Sequence, residues 1–592
     1  MFFPFGKTRA REKFFAKTEK NNPPGGFPRT LCYGNMLLNH SAPAEAEHLK
    51  KKEKLDMKKM WKRAAAVLLC GAMTLGLLTS CGGGETAANS ASSAQAAQTS
   101  EGLDKKDTLI YGAEFMDDTL NPMLDSQYCG SMLYRGLMKT DENCKPQYDI
   151  ATDCKISDDL LEYTFTIRDD VTFHDGTKLT VEDVVFTLNT IMDEKTNSAL
   201  REDFSEVETV EKVDDTTLKI TLKTPFPALL DKLTVGIVPA HCFAEGEDVN
   251  TADFNQNPVG CGPYRFVSYE EDSRLVMTRF DGYYGDQAKI KNIVFTYLPD
   301  YNVRALQLST GEIDLAYVEP SQAEELDQGE NTTVYKIDTA DYRCVMFNFA
   351  ATDLFDDVKV RQALSYDTDR ESVVRSILHG YGEAAYTPLQ RNEFKNEDVA
   401  RYDYDAEQAA ALLDEAGWTD HDGDGIRDKD GRKLSFTLTA PVTDEVRVNI
   451  ATYLVEEWKK LGVDCKVDAL DWNAIDISQC EAFILGWGSP FDADNDTYRL
   501  FATDGSVNYG SYSNGTVDET LRQARTTSNQ DERGAAYRDF QQALAEDPAY
   551  DFICYLTALY GANNRVSGIS TEKTLGHHGA GIFWNIETWE LT

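Results

Sequence analysis

The sequence predicts an α/β fold built from layered domains. Helical and strand patterns alternate along its second half: a helix over residues 405–416, a strand over 434–440, a helix over 444–461 and a strand over 463–469. This alternation is typical of sheets covered by helices. Roughly 510 residues follow Cys81, a length that suggests two or three domain-sized cores.

The helix predicted over 444–461 has the clearest pattern. Val446, Ile450 and Leu454 form an apolar stripe at helical spacing, and Gly462 is placed to end the helix. The next segment, 463–469, alternates apolar and polar residues as a half-buried strand does.

The first half contains the same two periodicities with wider spacing. Strands are predicted over 107–112, 163–168, 217–222 and 292–297, and a helix over 302–308 ends at Gly311. Capping boxes at 180–183 and 516–519 each predict the start of a helix.

The N-terminal part contains a pattern typical of secretion. Residues 57–80 combine a basic start with an apolar run over 64–78, which is short for a membrane span but suits a signal peptide. The run ends in Leu-Thr-Ser before Cys81, which resembles a bacterial lipobox. The resemblance implies a lipid thioether on Cys81 and an anchor at the extracytoplasmic face of the cell membrane.

The segments around this signal have compositions that do not favour a packed core. Residues 1–56 are rich in Pro, Gly and Lys and precede the signal, so we interpret them as a mis-translated leader with Met57 as the true start. Residues 81–104 hold the lipidated Cys and a polar, low-complexity tether.

Composition excludes some partners and cofactors. The net charge of −40 repels nucleic acid, so none is expected as a partner. Nine of the 12 cysteines follow Cys81, and they are scattered without a C-x-x-C spacing. They are predicted to be buried free thiols and not a zinc site or disulfide framework, and no cofactor is expected.

Several segments, in order, resemble bacterial extracellular solute-binding proteins of family 5, the peptide and nickel class. The similarity runs from about residue 107 to the C-terminus. The strongest piece is YTFTIRDDVTFHDGTKLTVEDVVFTL at 163–188, followed by NPVGCGPYRF at 257–266, where Cys261 replaces the usual Thr. The others are FDGYYG at 280–285, STGEID at 309–314, VRQAL at 360–364, DAEQAAALLDEAGW at 405–418 and Gly-Trp at 486–487.

The resemblance implies a two-lobed periplasmic-binding-protein fold of type II, large peptide-binding class, with two hinge crossovers. Lobe I would be residues 105–341 with 563–592, and lobe II residues 342–562, joined by crossovers at 342–349 and 555–563. Such a protein is a monomer and not an enzyme. It captures a small ligand, here a peptide and more readily an oligopeptide than a strict dipeptide, and delivers it to ABC permease subunits.

The resemblance also implies where the ligand sits. Trp487 and the segment after it would line the cleft from lobe II. Peptide-binding relatives carry an Asp in this segment that pairs with the ligand α-ammonium, but this chain has Pro490 at that position. Asp492, Asp494 or Asp496 would take over the role of that Asp. Further candidates are Arg447, at the start of the helix over 444–461, and three residues chosen by position only: Tyr111, Asn121 and Tyr134.

Other ligands and functions stay open from the sequence. The string WGSPFD at 487–492 is nearer to nickel-chelate binders, although no His lies between Trp487 and Phe501. An oligosaccharide is a further alternative. A secreted hydrolase is disfavoured, because the chain has no G-x-S-x-G and no H-E-x-x-H.

Three polar motifs have plain structural interpretations. His174-Asp175-Gly176 is interpreted as a tight turn before a helix. Asp420, Asp422, Asp424 and Asp428 match the first positions of a calcium loop, but Gly431 stands where the bidentate Glu belongs, so this is a weak calcium candidate. The pair at 577–578, His-His, is predicted to lie in a solvated loop and to bind no metal.

Overall fold

The computed structural model describes residues 103–592. The predicted leader, signal peptide, lipidated Cys81 and nearly all of the tether lie outside the described residues. The strands are β1 Thr108–Ala113, β2 Met138–Thr140, β3 Pro146–Tyr148, β4 Ala151–Ile156, β5 Glu162–Ile167, β6 Val207–Lys212, β7 Thr217–Leu222, β8 Tyr264–Glu270, β9 Arg274–Arg279, β10 Asn292–Tyr297, β11 Leu315–Tyr317, β12 Thr332–Phe347, β13 Gly382–Ala384, β14 Asp428–Lys429, β15 Arg432–Lys433, β16 Ser435–Pro441, β17 Asp464–Leu470, β18 Ala482–Trp487, β19 Tyr550–Asn563, β20 Val566–Ser567 and β21 Glu590–Leu591.

The described residues contain twelve α-helices. They are α1 Gly130–Leu133, α2 Val181–Met192, α3 Leu229–Lys232, α4 Tyr301–Thr310, α5 Pro320–Asp327, α6 Val358–Tyr366, α7 Arg370–Ser376, α8 Ala406–Glu415, α9 Glu445–Lys460, α10 Tyr498–Phe501, α11 Gly515–Thr526 and α12 Gln530–Glu546.

One large sheet runs through both halves of the molecule. Its strand order is β17-β16-β18-β12-β19-β11-β1-β10-β9-β8, and β13 also pairs with β19. A second sheet, β4-β5-β7-β6, belongs to the first half of the chain. The arrangement is the two-lobed α/β fold that the sequence predicts.

Two long strands, β12 and β19, carry the chain between the lobes. They pair with each other in three stretches, separated by register shifts between Asp338 and Tyr342 and between Arg343 and Cys344. On one side of the first shift β19 also pairs with β11, and on the other side β12 also pairs with β18. The predicted crossovers at 342–349 and 555–563 overlap these strands. We therefore keep the predicted boundaries as working definitions of lobe I and lobe II.

Strand β12 is buried on both faces within lobe II. Val345 and Phe347 pack into one hydrophobic cluster, whereas Cys344 and Met346 pack into another. Because successive side chains of a strand point to opposite faces, the two clusters lie on opposite sides of the sheet. Arg343 therefore lies on the face of Val345 and Phe347, which α9 covers.

The helix caps show where local sequence rules succeeded and failed. At the start of α2 the Thr180 N–H donates to Asp183 Oδ2 at 2.8 Å, which confirms that capping box. The capping box predicted at 516–519 is wrong. Helix α11 begins two residues earlier than a Thr516 cap allows, because the Asn514 side chain accepts from the N–H groups of Thr516 and Val517.

The nine cysteines of the described residues are free thiols, as predicted. Six are buried and three are half-buried, so they act mainly as small apolar side chains.

Candidate functional site

The carboxyl ends of parallel strands from both lobes meet in one cleft. In lobe I, β1 runs parallel to β10 and β11, and in lobe II β16 runs parallel to β17 and β18. Glu114 and Glu319 follow the ends of β1 and β11, and Asp444 follows β16. Open α/β sheets bind ligands outside such strand ends. This topology places the candidate site between the lobes.

A buried set of charged residues lies where the crossover strands change register. We call Asp341, Arg343, Asp444, Arg447 and His577 the hinge cluster. Asp341 Oδ1 accepts hydrogen bonds from Arg343 and from His577 Nδ1, the latter at 2.7 Å. Asp444 Oδ2 lies 2.9 Å from Arg447 Nε and 3.7 Å from Arg343 Nη2. Two carboxylates thus balance two guanidinium groups that are at most 2% exposed.

The two glycines of the Gly-Trp-Gly stretch at 486–488 pack directly against the hinge cluster and the crossover strand. A Cβ on Gly486 would lie 2.5 Å from Arg447 Nη2 and 2.6 Å from Arg343 Nη1. Gly488 has φ of +150° and a Cβ there would lie 2.0 Å from the Ala340 carbonyl oxygen. Both positions therefore need glycine, because the crossover strand and the two arginines occupy the space of a side chain.

His577 is part of the cleft and not of a solvated loop, so that prediction is wrong. It is 5% exposed, its N–H donates to the Gly488 carbonyl at 2.9 Å, and its Nε2 lies 3.3 Å from Arg447 Nη2. Burial lowers the pKa of His577 well below its ordinary value. A neutral ring that donates through Nδ1 to Asp341 and accepts at Nε2 from Arg447 fits all three contacts.

Lobe I contributes Glu114 to the cleft. Its Oε1 lies 3.2 Å from His578 Nδ1, and its Oε2 lies 3.5 Å from Arg304 Nη2. Burial acts to raise the pKa of Glu114, but His578 and Arg304 outweigh it and hold the pKa below its usual value. Glu114 is therefore a charged and partnered acid.

Two of the three acids predicted to meet a ligand are already neutralised. Asp492 accepts two hydrogen bonds of 2.6 Å from Arg533, and Asp494 Oδ1 lies 3.2 Å from Arg525 Nε. All four groups are largely buried in lobe II. These contacts give Asp492 and Asp494 a structural role and leave neither charge available to a ligand.

Asp496 differs from these two acids. It is 2% exposed and makes no ion pair with any described residue. Its Oδ2 accepts the Ser489 N–H at 2.9 Å, whereas its Oδ1 is buried without a hydrogen-bond partner. Burial raises the pKa of Asp496 to about 8. A carboxyl in this state is stabilised by any cation that reaches it.

The same segment also touches lobe I. Lys232 of α3 donates to Asn495 and lies 2.8 Å from Asp203 Oδ1. Arg499 Nε lies 3.2 Å from Glu202 Oε2. The lobes are therefore in contact along the segment that follows Trp487.

Trp487 lies at the end of β18, opposite Tyr342 of the crossover strand. It is 9% exposed and belongs to the lobe II cluster that contains Tyr342 and Phe483. The indole is therefore partly a core side chain, and its ligand-facing role stays a prediction.

The residues of lobe I chosen by position are turned to protein partners. Asn121 Nδ2 donates to Asn255 at 2.9 Å, and the Tyr134 hydroxyl donates to the Leu120 carbonyl at 2.7 Å. The Tyr111 hydroxyl donates to Tyr128, and all three candidates are at most 2% exposed. These contacts give no support to a place for them in the cleft.

The weak calcium candidate already holds a cation of the protein. Lys433 Nζ lies 2.8 Å from both carboxylate oxygens of Asp422 and 2.9 Å from Asp424 Oδ1. It is also 3.7 Å from Asp428 Oδ2, while Asp420 accepts two backbone N–H groups of the loop. The single ammonium balances only part of the charge of these four acids. Ligand atoms of Asp420, Asp422 and Asp428 lie within 4.8 Å of one another, so calcium binding by this loop stays a prediction.

Sequence reasoning missed Glu114, Glu319, Asp341 and Arg343. Glu114 and Glu319 could have been found, because each follows an apolar strand segment at the end that would open onto a cleft. Asp341 and Arg343 could not be found in this way, because they are single charged residues within the mainly apolar crossover strand and do not follow a strand end.

The fold and the cleft define a two-lobed binding protein that encloses its ligand between α/β lobes. The chain matches the family "Bacterial extracellular solute-binding proteins, family 5 Middle" over residues 145–508 and belongs to it. It is therefore an extracytoplasmic solute-binding protein of an ABC importer, as the resemblance implied.

Three relatives illustrate the range of the family. The chain is 34% identical to protein XP55 of Streptomyces lividans over 80% of this chain and 88% of that protein. The oligopeptide-binding protein AppA of Bacillus subtilis, solved with a nonapeptide, is 28% identical with a TM-score of 0.74 over 82% of this chain and 99% of that one. NikZ of Campylobacter jejuni, solved with Ni(L-His), is 37% identical with a TM-score of 0.78 over 82% and 100%.

Within residues 103–592, the helices are all too short or too polar to cross a membrane.

Proposed function

We propose that this chain captures a peptide between its lobes and delivers it to the permease subunits of an ABC importer. Asp496 carries the proposal: it is a buried carboxyl that forms no ion pair within residues 103–592, it lies in a segment next to the hinge, and it is suited to a peptide α-ammonium. Burying an ammonium without an anion costs several kcal/mol, so a closed cleft needs such a group. The similarity to AppA, which was solved with a nonapeptide, supports a peptide.

A nickel–amino acid chelate is the second candidate. The 37% identity to NikZ, solved with Ni(L-His), favours it. The fold also brings a histidine to the segment after Trp487, because the His577 N–H donates to Gly488. However, the His577 ring is already engaged by Asp341 and Arg447, so it would have to leave both to bind a metal. An oligosaccharide has no comparable support.

A ligand screen with a Trp487→Ala variant tests the proposed function. Peptides of three to nine residues should raise the melting temperature of the wild type, whereas Ni(L-His) and oligosaccharides should not. Trp487→Ala should weaken peptide binding by about 1–3 kcal/mol, roughly tenfold to a hundredfold, through lost aromatic contact. Isothermal titration measures the loss, and the variant's melting temperature without ligand separates it from unfolding.

The matched control is Trp418→Ala, which removes an indole of similar burial from the other hydrophobic cluster of lobe II. Peptides that fail to stabilise the wild type would refute the peptide proposal, and a response to Ni(L-His) would then favour the chelate. Equal peptide affinities of wild type and Trp487→Ala would leave the peptide proposal standing but remove Trp487 from the site.

We further propose that Cys81 anchors the mature chain to the membrane through lipid. The lipobox-like sequence before Cys81 motivates this proposal, because only a thiol forms the thioether. Cys81→Ser should move the protein from the membrane fraction to the medium, since buried acyl carbons contribute about 0.8 kcal/mol per methylene. Fractionation with immunoblotting measures this, and Cys70→Ser within the apolar run serves as the control. Unchanged retention of Cys81→Ser would refute the anchor.

A further inference from the structure

Glu319 is a buried acid whose side chain has no partner in the part of the chain that the structure describes. It follows β11 by two residues and occupies the N-cap position of α5, with Pro320 at the first helical position. An N-cap side chain normally accepts a hydrogen bond from the helix N–H groups, but that of Glu319 does not. Glu319 is 9% exposed and makes no side-chain hydrogen bond or ion pair with a described residue.

The surroundings of Glu319 come from both lobes and are mainly acidic. Glu114 of lobe I and Asp444 and Glu445 of lobe II act on it as like charges, and Arg304 is the one opposing cation among its strongest influences. The neighbouring Ser321 hydroxyl donates to Glu445 Oε2 at 3.1 Å, which fixes this part of lobe I against the start of α9. Glu319 therefore faces the cleft between the lobes.

The cations near Glu319 are engaged elsewhere. Arg304 Nη1 donates to the carbonyl oxygens of Leu298 at 2.8 Å and Pro299 at 3.2 Å. Its Nε donates to the Tyr317 carbonyl at 3.3 Å, and its Nη2 lies 3.5 Å from Glu114 Oε2. Asp444 is balanced by the arginines of the hinge cluster. Of the acids in this group, Glu319 and Glu445 make no ion pair with a described residue, but Glu445 accepts from the Ser321 hydroxyl. Glu319 is therefore the acid of the group with neither a counter-charge nor a hydrogen-bond donor among the described residues, and burial raises its pKa to about 8.

Asp496 and Glu319 are two separate acids of this kind. The charges that influence Asp496 include Lys232 and Asp341, whereas those around Glu319 are Asp444, Glu114, Arg304 and Glu445. A ligand that satisfied both acids would carry two cationic groups. In a peptide these are the α-ammonium and a basic side chain.

We propose that Glu319 forms an acidic subsite that receives a lysine or arginine side chain of the bound ligand, so that this protein selects basic peptides. The inference rests on the proposed peptide function and deepens it. The ammonium or guanidinium would supply the counter-charge that no described residue gives to Glu319, and Glu114 and Asp444 would add to the attraction.

Paired peptides test this subsite. Each lysine-containing peptide of three to nine residues is compared with its norleucine analogue, which keeps the aliphatic stem and lacks the charge. Wild type should bind at least one lysine peptide about tenfold or more tightly than its analogue. Glu319→Gln should bring the two affinities within about twofold and keep the affinity for the norleucine peptide. Glu325→Gln, on the exposed face of the same helix, should behave as wild type.

A proton measurement provides a second readout. A bound cation favours the charged carboxylate, so below pH 8 binding of a lysine peptide must release a proton from Glu319. Lysine-peptide affinity should therefore rise from pH 6 to pH 8 in wild type, and more steeply than in Glu319→Gln. Titration in buffers of different ionisation enthalpy measures the released proton. The norleucine analogue controls for the titration of Asp496 and of the other facing groups, Glu114, Arg304, Asp444 and Glu445.

The outcomes separate the two proposals. Peptide binding without a lysine preference, or a preference that survives Glu319→Gln in a folded variant, overturns the subsite and leaves the peptide function intact. No binding of any peptide overturns both. Tight binding of Ni²⁺ alone that Glu319→Gln abolishes would assign the acids to a metal and also overturn the subsite.

Discussion

Replacing Asp341 with asparagine is expected to lower the free energy of unfolding by about 3–5 kcal/mol, because it breaks a buried charge network. The Asp341 carboxylate is 1% exposed and accepts from Arg343, from His577 and from the His578 N–H at 3.0 Å. Asparagine keeps the shape but leaves the Arg343 guanidinium without its nearest anion.

Urea denaturation followed by tryptophan fluorescence at pH 7 measures this loss. Asp338→Asn is the matched control, since Asp338 is an exposed acid on the same strand, and it should cost less than about 0.5 kcal/mol. Adding Arg343→Met to Asp341→Asn should recover part of the loss by removing the uncompensated charge. A loss below about 1 kcal/mol for Asp341→Asn would show that the hinge cluster contributes little.

The difference in free energy of unfolding between wild type and Asp341→Asn should depend on pH, and the direction follows from the pKa of Asp341. Burial acts to raise the pKa of Asp341, but Arg343 and His577 outweigh it and hold the pKa well below its ordinary value. The unfolded chain, with a pKa of about 3.9, then binds the proton more tightly than the folded protein. The contribution of Asp341 is complete above about pH 4 and is lost progressively below it. The gap between wild type and Asp341→Asn should shrink over that acid range.

Replacing Asp496 with asparagine should weaken peptide binding by about 3 kcal/mol, more than a hundredfold, if this acid meets the ligand α-ammonium. The amide keeps an acceptor for the Ser489 N–H but removes the only charge that the proposed contact uses. Isothermal titration with the tightest peptide of the screen measures the loss. An N-acetylated copy of that peptide should bind wild type and Asp496→Asn about equally.

The control for this variant is Asp492→Asn. It removes a carboxylate of the same segment that is held by Arg533, so it should lower stability without changing peptide affinity by more than about twofold. Asp496→Asn should not lower stability, because a neutral amide replaces a buried carboxyl whose pKa is raised to about 8. Equal peptide affinities of wild type and Asp496→Asn would exclude Asp496 from the site.

Local pattern was sufficient for elements whose signals lie within a few residues. The strand at 292–297, the capped helix α2 and the stop of α4 at Gly311 match their predictions, because periodicity, caps and glycine act within one or two turns. The start of α11 was misplaced because Asn514 and Thr516 are both good caps, and only the path of the chain decides between them.

The candidate site could be predicted only in outline. The resemblance led from Gly486-Trp487 to the segment that the proposed function uses, but the sequence could not rank Asp492, Asp494 and Asp496. Their difference comes from Arg533 and Arg525, which lie some 30 to 40 positions away along the chain and come into contact only through folding. His577 is a similar case: the sequence pattern predicts only a loop there, and its contacts with Asp341 and Arg447 form only when the chain folds.

The sequence by itself determined the α/β class and the family, because periodicity and ordered motifs are properties of neighbouring residues. The tertiary structure decided which charges are satisfied. Asp492 and Asp494 acquire cations from distant positions of the chain, whereas Asp496 and Glu319 form no ion pair with a described residue. Charge pairing depends on distance in space and on burial, and neither can be read from spacing along a chain.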